Sequence, residues 1–191
     1  MKRLLAYLFL VLVLTFSFQS WTKADDIRDL QIEGMSIGDS LLDYFSKNKI
    51  KSSKRNYYKN KTYTPVEIKS NSYKNYDKMS FSYKTDNNNY IIESIAGMIV
   101  FNNDMKECEN TKKNILKEIQ KILIGNKFSH NEGKLDVDPL GKYIMDGFSF
   151  DNGDSVDATC YDYSEKSGYQ DVLSISFTTK EFQDFLGYAY D

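Results

Sequence analysis

Polar and apolar residues alternate over 76–85. Asp77, Met79, Phe81 and Tyr83 fall on one side, and Lys78, Ser80, Ser82 and Lys84 on the other. A period of two belongs to a strand with one buried face. The turn Asp86-Asn87-Asn88-Asn89 then leads into a second predicted strand over 90–101. A four-residue loop pairs Tyr83 with Ile92, Phe81 with Ser94 and Met79 with Ala96. That register gathers Lys84, Ser82 and Glu93 on the opposite face. Upstream, Tyr63, Val66 and Ile68 alternate within 62–69. Pro65 has no N–H to give to a ladder, so this is an edge strand or a strand start. Residues 47–61 are polar and basic and read as a loop. Ile37, Leu41, Leu42 and Phe45 share one helical face, and Ser36 with Asp39 has the spacing of a capping box. The pattern predicts a helix of about three turns here, after a short lead-in at 25–33.

The period changes after residue 101. Met105, Cys108, Ile115, Leu116, Ile119, Ile122 and Leu123 form a helical stripe with a polar gap at Lys112. Asn102 or Asn103 is placed to cap this helix, Asp104 suits its first turn, and Gly125-Asn126 ends it. Residues 126–140 are polar and mixed, closing on the turn signal Asp138-Pro139-Leu140-Gly141. Strands over 143–151 and 154–163 flank Asn152-Gly153, the signature of a two-residue type I′ turn. That turn sets Ser149 opposite Val156, Gly147 opposite Ala158 and Met145 opposite Cys160, a face of mostly small residues. The other face then carries Ile144, Phe148 and Phe150 beside Tyr161 and Tyr163. Residues 164–168 turn, and 170–178 alternate again. Thr178-Thr179-Lys180-Glu181 reads as a second capping box, opening a short helix with Phe182, Phe185 and Leu186. The order αβββ-αβββα predicts an α+β, two-layer domain, an antiparallel sheet with helices packed mainly on one face.

The first residues do not belong to that pattern. Lys2 and Arg3 precede an uncharged apolar run of 15 residues, 4–18. A membrane-spanning helix needs about 20, so the run reads as a signal-peptide core. Thr22-Lys23-Ala24 places cleavage after Ala24, giving residues 1–24 as signal peptide and 25–191 as a single mature domain. The alternative is an uncleaved anchor in the inner membrane. No second long apolar run follows, so no transmembrane helix is expected after cleavage, and the expected location is the periplasm. In that setting an even count of two cysteines favours a disulfide between Cys108 and Cys160. Cys160 lies on the small-residue face and Cys108 on the apolar stripe, so the long helix is expected to cross the hairpin where they meet.

Composition narrows the chemistry. The chain is 41% hydrophobic, with net charge −2 that becomes −5 without residues 1–24, which gives no chain-wide argument for nucleic acid. Residues 47–78 carry +8, with Tyr57, Tyr58, Tyr63, Tyr73 and Tyr76 interleaved, whereas 132–191 carry −9. Basic residues with aromatics suit an anionic polymer. The single histidine, His130, has no nucleophile–base partner at a recognisable spacing. Two cysteines and one histidine make no conventional zinc site, and no phosphate loop or calcium loop is present. The acidic residues Asp136, Asp138, Asp151, Asp154, Asp157 and Asp162 fit turn and edge positions, or a carboxylate pair if a cleft gathers them.

The run IEGMSIGDSLLDYFSKNKI, Asn-Tyr-Tyr-Lys at 56–59, the helix with Cys108, and Gly153-Asp154-Ser155-Val156 leading to Cys160-Tyr161-Asp162 together resemble a family of uncharacterised exported proteins of marine alphaproteobacteria with AT-rich genomes. The similarity covers most of the mature chain and brings no activity, cofactor or catalytic residue with it. Gly34-Met35-Ser36 before a helix also resembles the small outer-membrane assembly lipoprotein domain, without the lipobox cysteine of those proteins. The expectation is a non-enzymatic periplasmic binding or interaction domain with no cofactor, catalytic residue or metal site. Its partner would be an envelope protein or an anionic envelope polymer, met on a face formed by Phe148, Phe150, Tyr161 and Tyr163. The alternatives are a small carboxylate-dependent hydrolase of envelope glycans and a structural envelope factor.

Overall fold

The structure, a computed structural model, describes residues 24–101 and 104–190. The expected signal segment up to Lys23 and the expected caps Asn102 and Asn103 lie outside the described residues. Among the described residues, seven antiparallel strands form one open sheet. They are β1 (Tyr63–Ile68), β2 (Lys78–Lys84), β3 (Ser94–Phe101), β4 (Lys127–Leu135), β5 (Asp138–Ser149), β6 (Ser155–Asp162) and β7 (Asp171–Thr178), in the spatial order β1-β2-β3-β7-β6-β5-β4. Three α-helices accompany them: α1 (Lys47–Ser52), α2 (Met105–Ile122) and α3 (Lys180–Leu186). The class is α+β, as the alternating patterns require. The element order differs from αβββ-αβββα in three places.

The first difference is the N-terminal region, which is an irregular strap. The expected three-turn helix is only a short 3-10 turn, Leu41–Asp43, capped by Ser40. Asp39 does accept from the Ser36 N–H at 2.8 Å, but the Ser36 hydroxyl turns away to the Leu30 carbonyl. The strap buries Ile27, Leu30, Ile32, Met35, Ile37 and Leu41 in the main core. A tight turn at Glu33-Gly34, both with positive φ, lets it double back. Positive φ at both central positions is the type I′ geometry. The second difference is α1, a short helix capped by the Ser46 hydroxyl, in the segment read as loop. The third is β4, in the stretch read as polar and mixed. It is an edge strand exposed on both faces, so no period of two marks it. Pro65 does lie in an edge strand, β1.

Two faces follow from the pairing registers. One carries Val66, Ile68, Met79, Phe81, Ile95, Ile99, Leu173, Ile175, Val156, Ala158 and Cys160, all buried. The strap and α2 cover it. Asp104 caps α2 by accepting from the Glu107 N–H at 3.0 Å. The cysteines meet there, Cys108 to Cys160, with S–S 2.00 Å and Cα–Cα 6.1 Å. The second face is polar, and α3 packs on it. Thr179, rather than Thr178, caps α3 by accepting from the Phe182 N–H. Gln183 donates to the Ser155 hydroxyl, Lys84 pairs with Glu181, and Tyr63 packs on Phe182 and Phe185. Ile50 of α1 joins the same core as α2, so α3 alone among the three helices lies on the opposite face.

Both hairpin registers are shifted by one residue from expectation. Phe81 faces Ile95, not Ser94, because Tyr90 (φ +54°) and Ile92 bond to the strap instead of to β2. Phe148 faces Val156, and Ile144 faces Cys160. The loop holds three residues, closed by the Gly153 N–H on the Phe150 carbonyl and the Phe150 N–H on the Asp154 carbonyl. Only Gly153 among them has positive φ, +89°, the pattern of a type I turn followed by a left-handed glycine.

Lys112 fills the polar gap in the stripe of α2. It is 2% exposed, pairs with Asp146 at 2.6 Å and donates to the Ile144 carbonyl at 3.0 Å. His130 of β4 holds the other Asp146 oxygen at 2.6 Å. Burial pushes the Asp146 carboxyl up, but hydrogen bonds from Lys112 and His130 outweigh it, and the net shift is downward. A carboxylate with a lowered folded pKa contributes stability above its unfolded pKa, and that contribution is lost as pH falls through the folded value. Lys112→Met should cost about 1–3 kcal/mol at neutral pH, since it strands a partly buried carboxylate that keeps His130 and some solvent. Urea titrations should show the gap between wild type and variant narrowing below the ordinary Asp value of 3.8. A gap independent of pH would contradict the pairing.

Candidate interaction surface

The one-residue shift separates the four aromatics expected to share a face. Phe148 and Phe150 are 4% and 6% exposed and lie in the core beneath α2. Tyr161 and Tyr163 point to the polar face and are half-buried. Side chains of alternate residues cannot change sides independently, so correcting the register moves all of β5 at once. The expected face of Phe148, Phe150, Tyr161 and Tyr163 therefore does not exist as a unit. The same shift leaves Gly147 on the polar face and brings Phe148 to the helix in its place.

What the polar face presents can be followed row by row across the sheet. At one end Val100, Val172, Tyr161 and Tyr143 are successive neighbours on β3, β7, β6 and β5. The next row is Lys78, Met98, Ser174, Thr159 and Met145, and the one after is Ser80, Ala96, Ser176, Asp157 and Gly147. The far row, with Ser94, Thr178 and Ser155, lies beside α3. Apolar and aromatic side chains thus collect at the end away from α3. Val100, Met98, Met145, Tyr143 and Tyr161 are all half-buried, whereas Val172 is buried.

The tyrosines at that end are held firmly. Tyr161 and Tyr163 stack, with ring centroids 6.1 Å apart and planes 18° from parallel, and Tyr169 leans on Tyr163 at 5.1 Å. Tyr169 is 61% exposed. Asp171 accepts from the Tyr163 N–H at 2.7 Å. Asp138 is buried and accepts from the Ser164 N–H at 2.6 Å and its hydroxyl at 2.9 Å. These bonds to Ser164 lower the Asp138 pKa. Burial and the adjacent Tyr163 phenol push Tyr161 up to about 12.

The acidic residues singled out in the sequence are dispersed. Asp138 anchors the turn after β6, and Asp154 accepts from the Lys180 N–H at 2.8 Å at the start of α3. Asp162 pairs with Lys142 at 3.5 Å. Asp151 is exposed in the β5–β6 loop, and Asp136 lies in the β4–β5 turn. Asp157 stands alone on the polar face, bonded by the Ser155 hydroxyl at 2.6 Å, and burial raises its pKa. Its carboxylate lies over Gly147, where a Cβ would come within 2.2 Å of Oδ1, so a side chain at 147 is excluded. Among the described residues no three His, Cys, Asp or Glu side chains converge as metal ligands would, and no helix is long and apolar enough to cross a membrane.

Sequence reasoning missed Asp157, Met98, Val100, Tyr143 and Met145 as partners of Tyr161 on one surface. The alternation of each strand carries that information, but only the correct register between strands assembles it. The role of Asp138 and Asp171 in fixing the tyrosines had no local signal. Comparison with protein-family models, with curated proteins and with solved structures finds no match for the chain.

Proposed function

We propose that the chain is an exported, periplasmic, non-enzymatic binding domain that docks an envelope protein on the tyrosine end of its polar sheet face. The observation that carries this is the Tyr161–Tyr163–Tyr169 stack beside the apolar row of Val100, Tyr143 and their neighbours. Tyrosines give large, rigid contact area at low entropy cost, with a hydroxyl for specificity. Two buried carboxylates, Asp138 and Asp171, hold the backbone beside that stack. The dispersed carboxylates also disfavour a carboxylate-pair hydrolase, which needs its two groups roughly 5–10 Å apart across a bound sugar. Export is supported by the charged start and apolar run of residues 2–18. Ala24, at the expected cleavage site, is buried, and its N–H donates to the Ile122 carbonyl at 3.0 Å.

The test is capture of partners by the tagged protein from its native envelope, comparing wild type with Tyr161→Ser/Tyr163→Ser. A folded variant that loses the wild-type partner is the expected result. Mass spectrometry of the same material should give a new N-terminus within a few residues of Ala24. Undiminished capture by the folded variant would remove the tyrosine face from the account, and intact Met1 would remove export.

A further inference from the structure

Residues 53–56 run along the outer edge of β1: the Arg55 N–H donates to the Pro65 carbonyl at 2.9 Å, and Glu67 N–H to the Ser53 carbonyl at 3.0 Å. The chain then loops out and returns to Tyr63. The loop is held at its far side by the Lys59 and Asn60 N–H groups on the Ala189 carbonyl. Within it the Asn60 side chain accepts from both the backbone and the hydroxyl of Thr62. Between loop and strand is a cavity of about 140 Å³, lined by Lys54, Arg55, Asn56, Tyr58, Lys61 and Tyr63, among others. That is several times the room a single water needs.

Three cations line the cavity and no carboxylate does. Their protein contacts leave donors to spare. Lys61 uses two of its three N–H groups, on the Asn56 side-chain oxygen and the Tyr58 carbonyl. Lys54 stands over the Tyr83 ring, 6.0 Å from its centroid, an attraction that consumes no N–H. Arg55 spends its Nε on Glu67 at 3.5 Å, one Nη1 bond on the Lys54 carbonyl and another bond on the Tyr57 phenol, which leaves part of its five-donor fork. Among the described residues neither Lys54 nor Lys61 makes an ion pair. Tyr58 and Tyr63 on one side of the cavity pack edge-on against Phe182 and Phe185 of α3. A cavity lined by cations with charged donors to spare suits a compact oxyanion.

We propose that this cavity binds a phosphate-type oxyanion, either free or as a phosphomonoester carried on an envelope lipid or glycan. The proposal goes beyond the protein-docking reading and does not depend on it, since the two surfaces share no residue. The chemistry selects a small multivalent anion over chloride, through several charge-assisted hydrogen bonds at once.

Calorimetric titration of the mature chain with inorganic phosphate, at constant ionic strength set by chloride, tests it. Saturable binding is expected, and Lys54→Gln/Lys61→Gln should weaken it at least tenfold. Lys54→Arg/Lys61→Arg, which keeps the charge, should retain it. Circular dichroism and thermal melts of both variants report folding. Vesicles of phosphatidic acid against phosphatidylcholine separate the sources: binding to the former alone assigns a headgroup phosphate, and binding to free phosphate without vesicle binding assigns a soluble anion. No saturable signal with phosphate or with phosphatidic acid vesicles would overturn the proposal. Equal binding by the folded glutamine variant would overturn it too. Failure of either kind leaves partner capture by the tyrosine face untouched.

Discussion

Phe148→Ala should destabilise the protein by about 3–5 kcal/mol, the usual cost of emptying a buried phenylalanine site. Phe148 is 4% exposed, faces Val156 across the hairpin and packs edge-on against Phe128. In the register of a two-residue turn the same ring would stand on the far face from α2, and its loss would shift stability by no more than about 0.5 kcal/mol if that face were open. Urea denaturation of wild type and variant separates these outcomes. The physical contest is between a local turn preference and the burial of two rings. Each ring contributes about 1.5–3 kcal/mol when removed from water, more than a choice between two common hairpin loops can offset. Asp154 adds to the same side, because the three-residue loop brings its carboxylate to the first N–H of α3.

The second large effect concerns the crosslink. Cys108 and Cys160 close an interval of 52 residues, for which loop-closure entropy gives about 4 kcal/mol. Cys160→Ala should therefore cost about 2–5 kcal/mol, and the double variant Cys108→Ala/Cys160→Ala about the same. Reduction of the wild type should bring it close to the double variant. Peptide mapping without reductant should recover the two cysteines as one linked pair. Free thiols in native material, or a double variant as stable as the oxidised protein, would contradict the bond. The linkage pins α2 at its first turn, while Lys112 pins the next turn through Asp146. Together they fix the helix over β5 and β6.

Much of this architecture is readable from the chain because strands with one wet face write their burial as alternation. That holds for β2, and the apolar stripe marks α2 equally well; in β7 the polar and apolar residues alternate although nearly all are buried. Cys108 and Cys160 could be joined on paper since each sits on a face that has to be buried. The strap defeats periodicity: Ile27, Leu30, Ile32, Met35, Ile37 and Leu41 are core residues, but an irregular segment has no repeat to detect. The edge strand β4 is invisible for the opposite reason, because both its faces meet solvent. Register is the deeper loss. Tyr90 and Ile92 leave the β2–β3 ladder for the strap, and Phe150 joins the β5–β6 ladder, for reasons that lie tens of residues away. A single-residue error there preserves every strand yet exchanges core for surface, which is why Phe148 and Phe150 had to be separated from Tyr161 and Tyr163. The positive segment 47–78 was visible as charge, but its cavity depends on how the loop folds back onto β1.

The most direct test of the docking account is site-specific photocrosslinking in the native host. A photoreactive residue in place of Tyr163 should give one discrete adduct of higher mass. The same residue in place of Lys113, on the exposed side of α2, should give none. Absence of an adduct at 163, or the same adduct at both positions, would contradict a partner-binding role for the tyrosine face.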